Sequence, residues 1–112
     1  VTTVLQVLLV APAQLGSADV AIYTAPTQTT AKVGRAVFTN TTAGAIQITA
    51  GITPGGALGP GTILISARTI APGESYVSPE LSGQVLPAGH QIHAFAAAAA
   101  AITFTASGLL IQ

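Results

Sequence analysis

The chain has 112 residues, 50% of them hydrophobic, with three basic side chains balancing three acidic ones and no Cys, Met or Trp. Soluble domains usually carry about 25% charged residues, so Asp19, Lys32, Arg35, Arg68, Glu74 and Glu80 are too few to solvate a free surface. Disulfides and thiolate metal sites are excluded, three cations cannot neutralise a row of phosphates or hold an anionic membrane, and the composition favours one small domain that associates with neighbours.

The apolar opening from Val4 to Ala13 has no basic residue before it. It reads as a first strand on a processed cytoplasmic-type N-terminus and not as a secretory signal. Alternation with period two then recurs along the chain, as in Ala45-Ile46-Gln47-Ile48-Thr49, Thr62-Ile63-Leu64-Ile65-Ser66 and Ile102-Thr103-Phe104-Thr105. Such β-branched alternation marks half-buried strands. The turns between them have a mechanism. In Pro54-Gly55-Gly56, Gly59-Pro60-Gly61, Pro72-Gly73, Pro87-Ala88-Gly89 and Ser107-Gly108, Pro presets φ and Gly supplies positive φ.

These signals predict strands near 3–10, 19–24, 32–40, 44–52, 62–70, 74–78, 91–96 and 101–111. No stretch of ten or so residues shows helical periodicity with caps. About eight short strands imply an all-β fold, an antiparallel β-sandwich of jelly-roll or Ig-like type, as a single domain over residues 1–112. Residues 1–14 can serve as an extended N-terminal arm that adds a strand to a neighbour's sheet. The longest apolar run, Ala94 to Ile102, is too short for a membrane span.

Two segments stand out from the alternation. Gly51–Gly61 is rich in Gly and Pro, a composition that suits a loop projecting from a sandwich to make contacts. Ala96–Ala101 has high intrinsic helix propensity but is too short for a stable helix, and its flanks alternate like strands. A tight connection between strands is therefore predicted. Small side chains also allow close approach of another backbone, so Ala97, Ala98 and Ala99 are candidate subunit contacts.

Chemistry-bearing residues are scarce. His90 and His93 could act as bases, with Asp19, Glu74 or Glu80 as orienting carboxylates. No Gly-x-Ser-x-Gly elbow accompanies them, and spacing alone establishes no triad, so an enzyme is not expected. Three residues apart in a strand, the two histidines point to opposite faces and cannot grip one metal ion. Phosphate-cradling glycine motifs are missing from the sequence, which removes nucleotide cofactors. Asn40-Thr41-Thr42 matches a glycosylation acceptor, but Asn40 is better placed to start a turn. The five aromatic residues, Tyr23, Phe38, Tyr76, Phe95 and Phe104, are too dispersed for a stacking platform. Arg35 and Arg68, the two guanidiniums, are the candidates for bidentate bonds to a carboxylate across an interface.

Several segments, taken together, resemble a family of small phage virion proteins of β-sandwich type. They are Val20-Ala21-Ile22-Tyr23-Thr24-Ala25-Pro26 with Thr29-Thr30-Ala31, then Phe38-Thr39-Asn40-Thr41 and Ile70-Ala71-Pro72-Gly73-Glu74-Ser75-Tyr76. The likeness continues through Leu81-Ser82-Gly83-Gln84-Val85-Leu86-Pro87-Ala88-Gly89-His90-Gln91-Ile92 and Ala106-Ser107-Gly108. The resemblance implies a structural, non-enzymatic role on a virus particle, as a capsid decoration (cement) protein or as a tail-associated one.

The reading that follows is a homo-oligomeric, trimeric cement protein on the virion that binds the major capsid protein, with no cofactor, nucleic acid, membrane or small-molecule substrate. A protein that binds the assembled shell but not its parts stabilises the shell by mass action, and many copies multiply the effect. The alternative is a tail or fibre module that binds a host-surface receptor or glycan.

Overall fold

The computed structural model describes residues 3–112. Nine strands form its regular structure, with no helix among the described residues: β1 (Val4–Gln14), β2 (Val20–Thr24), β3 (Thr30–Asn40), β4 (Ile46–Thr53), β5 (Ile63–Ile70), β6 (Ser75–Val77), β7 (Val85–Leu86), β8 (Gln91–Ala96) and β9 (Ile102–Ile111). Residues 91–96 coincide with the predicted strand, and most other boundaries fall within two residues of it. β7 has only two residues, too short for any alternation to mark it.

The antiparallel pairings nest. β1 pairs with β9, β2 with β8, β3 with β6 and β7, and β4 with β5. The chain is thus one long hairpin, closed by the β4–β5 turn, whose successive pairs fall alternately into two sheets. One sheet has the order β1-β9-β3-β6, with β7 also on β3, and the other the order β2-β8-β4-β5. This is the jelly-roll form of the β-sandwich, which settles the choice that local alternation left open.

Alternate residues of the strands meet between the sheets. Val33, Ala36 and Phe38 of β3 and Ile102, Phe104 and Ala106 of β9 face Ile48 and Ala50 of β4, Ile65 and Ile70 of β5, and Ile92, Ala94 and Ala96 of β8 in one buried cluster. Phe38 and Phe104 lie opposite each other in the β3–β9 register, with ring centroids 4.6 Å apart. Burying each ring contributes about 1.5–3 kcal/mol. Where β3 bulges between Val33 and Arg35, β9 carries Gly108. A Cβ there would lie 1.9 Å from the Lys32 carbonyl oxygen, so only glycine permits the two backbones to cross this closely.

Two expectations change in the structure, and a third is met with an added detail. β1 does not stop before Pro12 but runs to Gln14, with register shifts between Leu8 and Val10 and between Val10 and Ala13. It is an edge strand, where Pro costs no ladder bond. From Val4 onward the segment considered as an arm is therefore a strand of the chain's own sheet, and residues 1–2 lie outside the described residues. The Gly51–Gly61 segment also folds back instead of projecting. The Ile52 amide donates to Thr62 O at 3.3 Å, the Ile63 amide to Gly59 O at 3.1 Å, and the Gly59 amide to Thr62 Oγ1 at 2.9 Å. The alanine run is a turn, as predicted, but one that carries the chain from one sheet to the other, with Ala100 in the left-handed region at φ 57°.

Candidate functional site

Three connections and strand β4 meet at the end of the sandwich that holds the alanine run. The Ala96 amide donates to Gly16 O, the Ala97 amide to Gln47 O, the Ala100 amide to Leu15 O and the Thr41 amide to Ala101 O. These bonds hold the run without helix. Ala97 and Ala99 are exposed, whereas Ala98 is half-buried against the core. Of the three candidate contacts, two are therefore open to a partner.

The two arginines have different fates. Arg35 is exposed beside the β3 bulge, opposite Ser107, and takes part in no ion pair or hydrogen bond among the described residues. Arg68 on β5 lies over the Tyr76 ring of β6, its guanidinium carbon 4.0 Å from the centroid. Tyr76 in turn donates its hydroxyl hydrogen bond to Glu80. This group links the edge strands of the two sheets, so Arg68 is used within the chain through a cation–π contact. Nothing in the sequence signals it, because Arg68 and Tyr76 belong to strands of different sheets.

His93 is the other polar centre. It is 6% exposed although its neighbours Ile92 and Ala94 point into the core, because other groups cover the outer face of its strand. Its Nδ1 lies 2.7 Å from Asp19 Oδ1 and its Nε2 2.9 Å from Gln91 Oε1. The other oxygen of Asp19 accepts the Leu58 amide at 2.9 Å. A histidine oriented by a carboxylate is half of a hydrolytic triad. Here the second ring nitrogen meets an amide side chain and not a hydroxyl, so no nucleophile is in place. What the cluster does is tether: it joins the β1–β2 connection, β8 and the β4–β5 loop. The pairing of Ala21 with His93 brings Asp19 there across 74 residues, a relation invisible to spacing. His90 stands apart in the turn before β8, half-buried, and no cluster of three or more His, Asp or Glu residues that could hold a metal occurs among the described residues.

A shallow depression of about 470 Å³ lies on the five-stranded sheet where Gly34 and Gly108 leave out side chains, rimmed by Gln6, Leu8, Ser107 and Leu109. None of these residues ionises, so the depression suits contact better than catalysis.

Contacts within the fold shift three titrating groups from their ordinary values. The Leu58 amide, with His93 beside it, holds Asp19 below its ordinary 3.8, and the Tyr76 hydroxyl holds Glu80 below 4.5. Groups depressed in this way stabilise the fold above their unfolded pKa values, and that contribution is lost as pH falls through the folded ones. Tyr76 moves upward from 10.0, through burial first and Glu80 second. Its contribution is complete below that pH and lost as the pH rises through its folded pKa. Calorimetry across pH should therefore show a Tm that is flat from about pH 5 to 9 and declines on both sides. Glu80→Gln should flatten the acid limb; an unchanged limb would refute the Tyr76–Glu80 contact.

No protein-family model matches this sequence, and no curated protein matches it. Solved structures do resemble the fold. The chain is similar to a chain in the structure of infectious bursal disease virus Gx strain, with TM-score 0.58 and 15% identity, covering 98% of this chain and 32% of that one. It is similar to a chain of the infectious bursal disease virus VP2 subviral particle, with TM-score 0.55 and 16% identity, over 98% of this chain and 32% of that one. In the T13 viral particle of the same virus the values are TM-score 0.55 and 14% identity, over 98% and 30%. This chain thus spans about a third of the length of each neighbour, and the whole of its jelly roll, not a single hairpin, is what the likeness covers.

Proposed function

We propose that this chain is a non-enzymatic structural protein of a virus particle, a phage capsid decoration protein that binds the assembled head shell through the major capsid protein as a homotrimer. The observation that carries the reading is the jelly-roll likeness to proteins of an icosahedral virus particle over 98% of this chain. Charge supports it. The chain has only three basic and three acidic side chains, and Asp19, Arg68 and Glu80 already make contacts within the chain, Asp19 and Arg68 while still exposed. So few ionised groups leave a surface that favours docking. Arg35 is the guanidinium open to a capsid carboxylate, with Ala97 and Ala99 as close-approach contacts at the loop end.

Co-sedimentation with empty shells, with dissociated capsid subunits and with host cells tests the assignment. Saturable pelleting with shells but not with subunits is expected, and Arg35→Glu should weaken it at least about tenfold. Pelleting with cells alone would replace the reading with a receptor- or glycan-binding tail module.

A further inference from the structure

From Val4 to Leu8, β1 pairs with β9 without interruption, and among the described residues no strand pairs with its other edge. Thr3 and Gln112 exchange both backbone hydrogen bonds, at 3.0 and 2.8 Å. By the alternation of an antiparallel ladder, Leu5 and Val7 are the next residues to bond β9. Val4, Gln6 and Leu8 therefore aim their N–H and C=O groups outward. Their surroundings are apolar: Val4 and Leu8 are 56% exposed and Leu5 44%. Natural edges are guarded by charge, Pro or bulges. No residue of β1 is charged, and its bulge and Pro12 come only after Leu8.

We propose that this edge is a two-fold contact between copies of the chain, in which β1 pairs antiparallel with β1 of a second copy and Gln6 lies opposite its own counterpart. The outward groups select that register. With Gln6 on the axis, Val4 meets Leu8, all three outward residues of each strand are used, and about six inter-strand hydrogen bonds form. A shift of one residue turns the donors to the wrong edge, and a shift of two leaves an outward residue of each strand unpaired.

The side chains agree with the backbone. Val4 faces Leu8 on one face of the joined sheet, Leu5 faces Val7 on the other, and the two Gln6 amides meet on the axis. A charge anywhere in this segment would meet its like across or beside the axis, and the segment has none. An identical strand is thus the partner that matches both the outward groups and the charge, through an isologous contact. The inference deepens the homo-oligomer part of the proposed function and leaves shell attachment to other surfaces. On a shell, such a contact links neighbouring trimers; in solution it makes even-numbered assemblies.

Sedimentation velocity of the whole chain and of two Gln6 variants tests the contact. The unaltered chain should sediment as an even-numbered species. Gln6→Pro removes an outward N–H while sparing the bonds to β9, so it should halve the mass with an unchanged far-UV spectrum. Gln6→Cys should give a covalent dimer under mild oxidant, because the chain has no other cysteine. Directly opposed residues stand about 5.5 Å apart between Cα atoms, within disulfide reach. Gln84→Cys, exposed on the far side of β3, is the control. A monomer or odd-numbered species before substitution, a mass unmoved by Gln6→Pro, or Gln6→Cys cross-linking no faster than Gln84→Cys overturns the proposal. Failure to pellet with shells would instead remove the proposed function and leave this contact intact.

Discussion

Phe104→Ala is expected to lower the unfolding free energy by about 3–5 kcal/mol, the usual cost of emptying an aromatic site in a closed core. Phe104 is 1% exposed and touches Phe38, whose ring lies 6.4 Å from Tyr76. These three rings form an aromatic chain across the β9, β3 and β6 strands, and the chain has just two Tyr and three Phe in all. The nearest inward neighbours along β9 and β3 include Ala36 and Ala106, which are too small to move into the space. A domain of this size is stable by about 5–15 kcal/mol, so one substitution consumes a large part of the margin. Urea unfolding followed by far-UV circular dichroism should show a lower midpoint with an unchanged slope. A loss below about 1.5 kcal/mol would mean that the two sheets do not close on this ring.

Asn40→Ala is expected to cost about 2–4 kcal/mol, because it strands buried backbone groups. Asn40 ends β3 and is fully buried. Its amide nitrogen donates to Gly44 O at 2.7 Å and to Ile70 O at 2.9 Å, and its side-chain oxygen accepts the Thr42 amide at 2.9 Å and the Thr42 hydroxyl at 2.7 Å. Its backbone also bonds Glu74 O and the Gly73 amide. One side chain therefore shapes the β3–β4 connection and binds it to the β5–β6 connection. Asn40→Asp keeps the acceptor, loses both donors and buries a charge, so it should be worse than Ala at neutral pH and recover partly on acidification. Equal midpoints for the two variants would refute this account. The same burial keeps the Asn40-Thr41-Thr42 tripeptide from being an exposed acceptor site in the folded chain.

Strand identity was legible because it is local. Ile46-Gln47-Ile48-Thr49 and Ile102-Thr103-Phe104-Thr105 put alternate side chains on opposite faces whatever they pair with, and the Pro-Gly turns mark where the chain must reverse. The alanine run was legible as a turn for the same reason, since its flanks alternate. β7 was not, because two residues on β3 have no period of their own.

The candidate site was much less legible. Asp19 meets His93 only after segments 74 residues apart have come together, and Arg68 meets Tyr76 only because the consecutive strands β5 and β6 join different sheets. Counting charges identified Arg35 and Arg68 alike as contact candidates, and the fold separated them.

By itself, the sequence determined that this protein is all-β, without thiol chemistry, and poor in charge, because these properties follow from residue type and nearest-neighbour alternation. Tertiary structure alone decided that the strands nest into a jelly roll, that Asp19 is drawn to His93, and that Val4, Gln6 and Leu8 turn their backbone groups outward from an open edge. Those outcomes depend on register between segments far apart in the chain, and a shift of one residue in that register, which local patterning does not specify, would reverse every one of these facings.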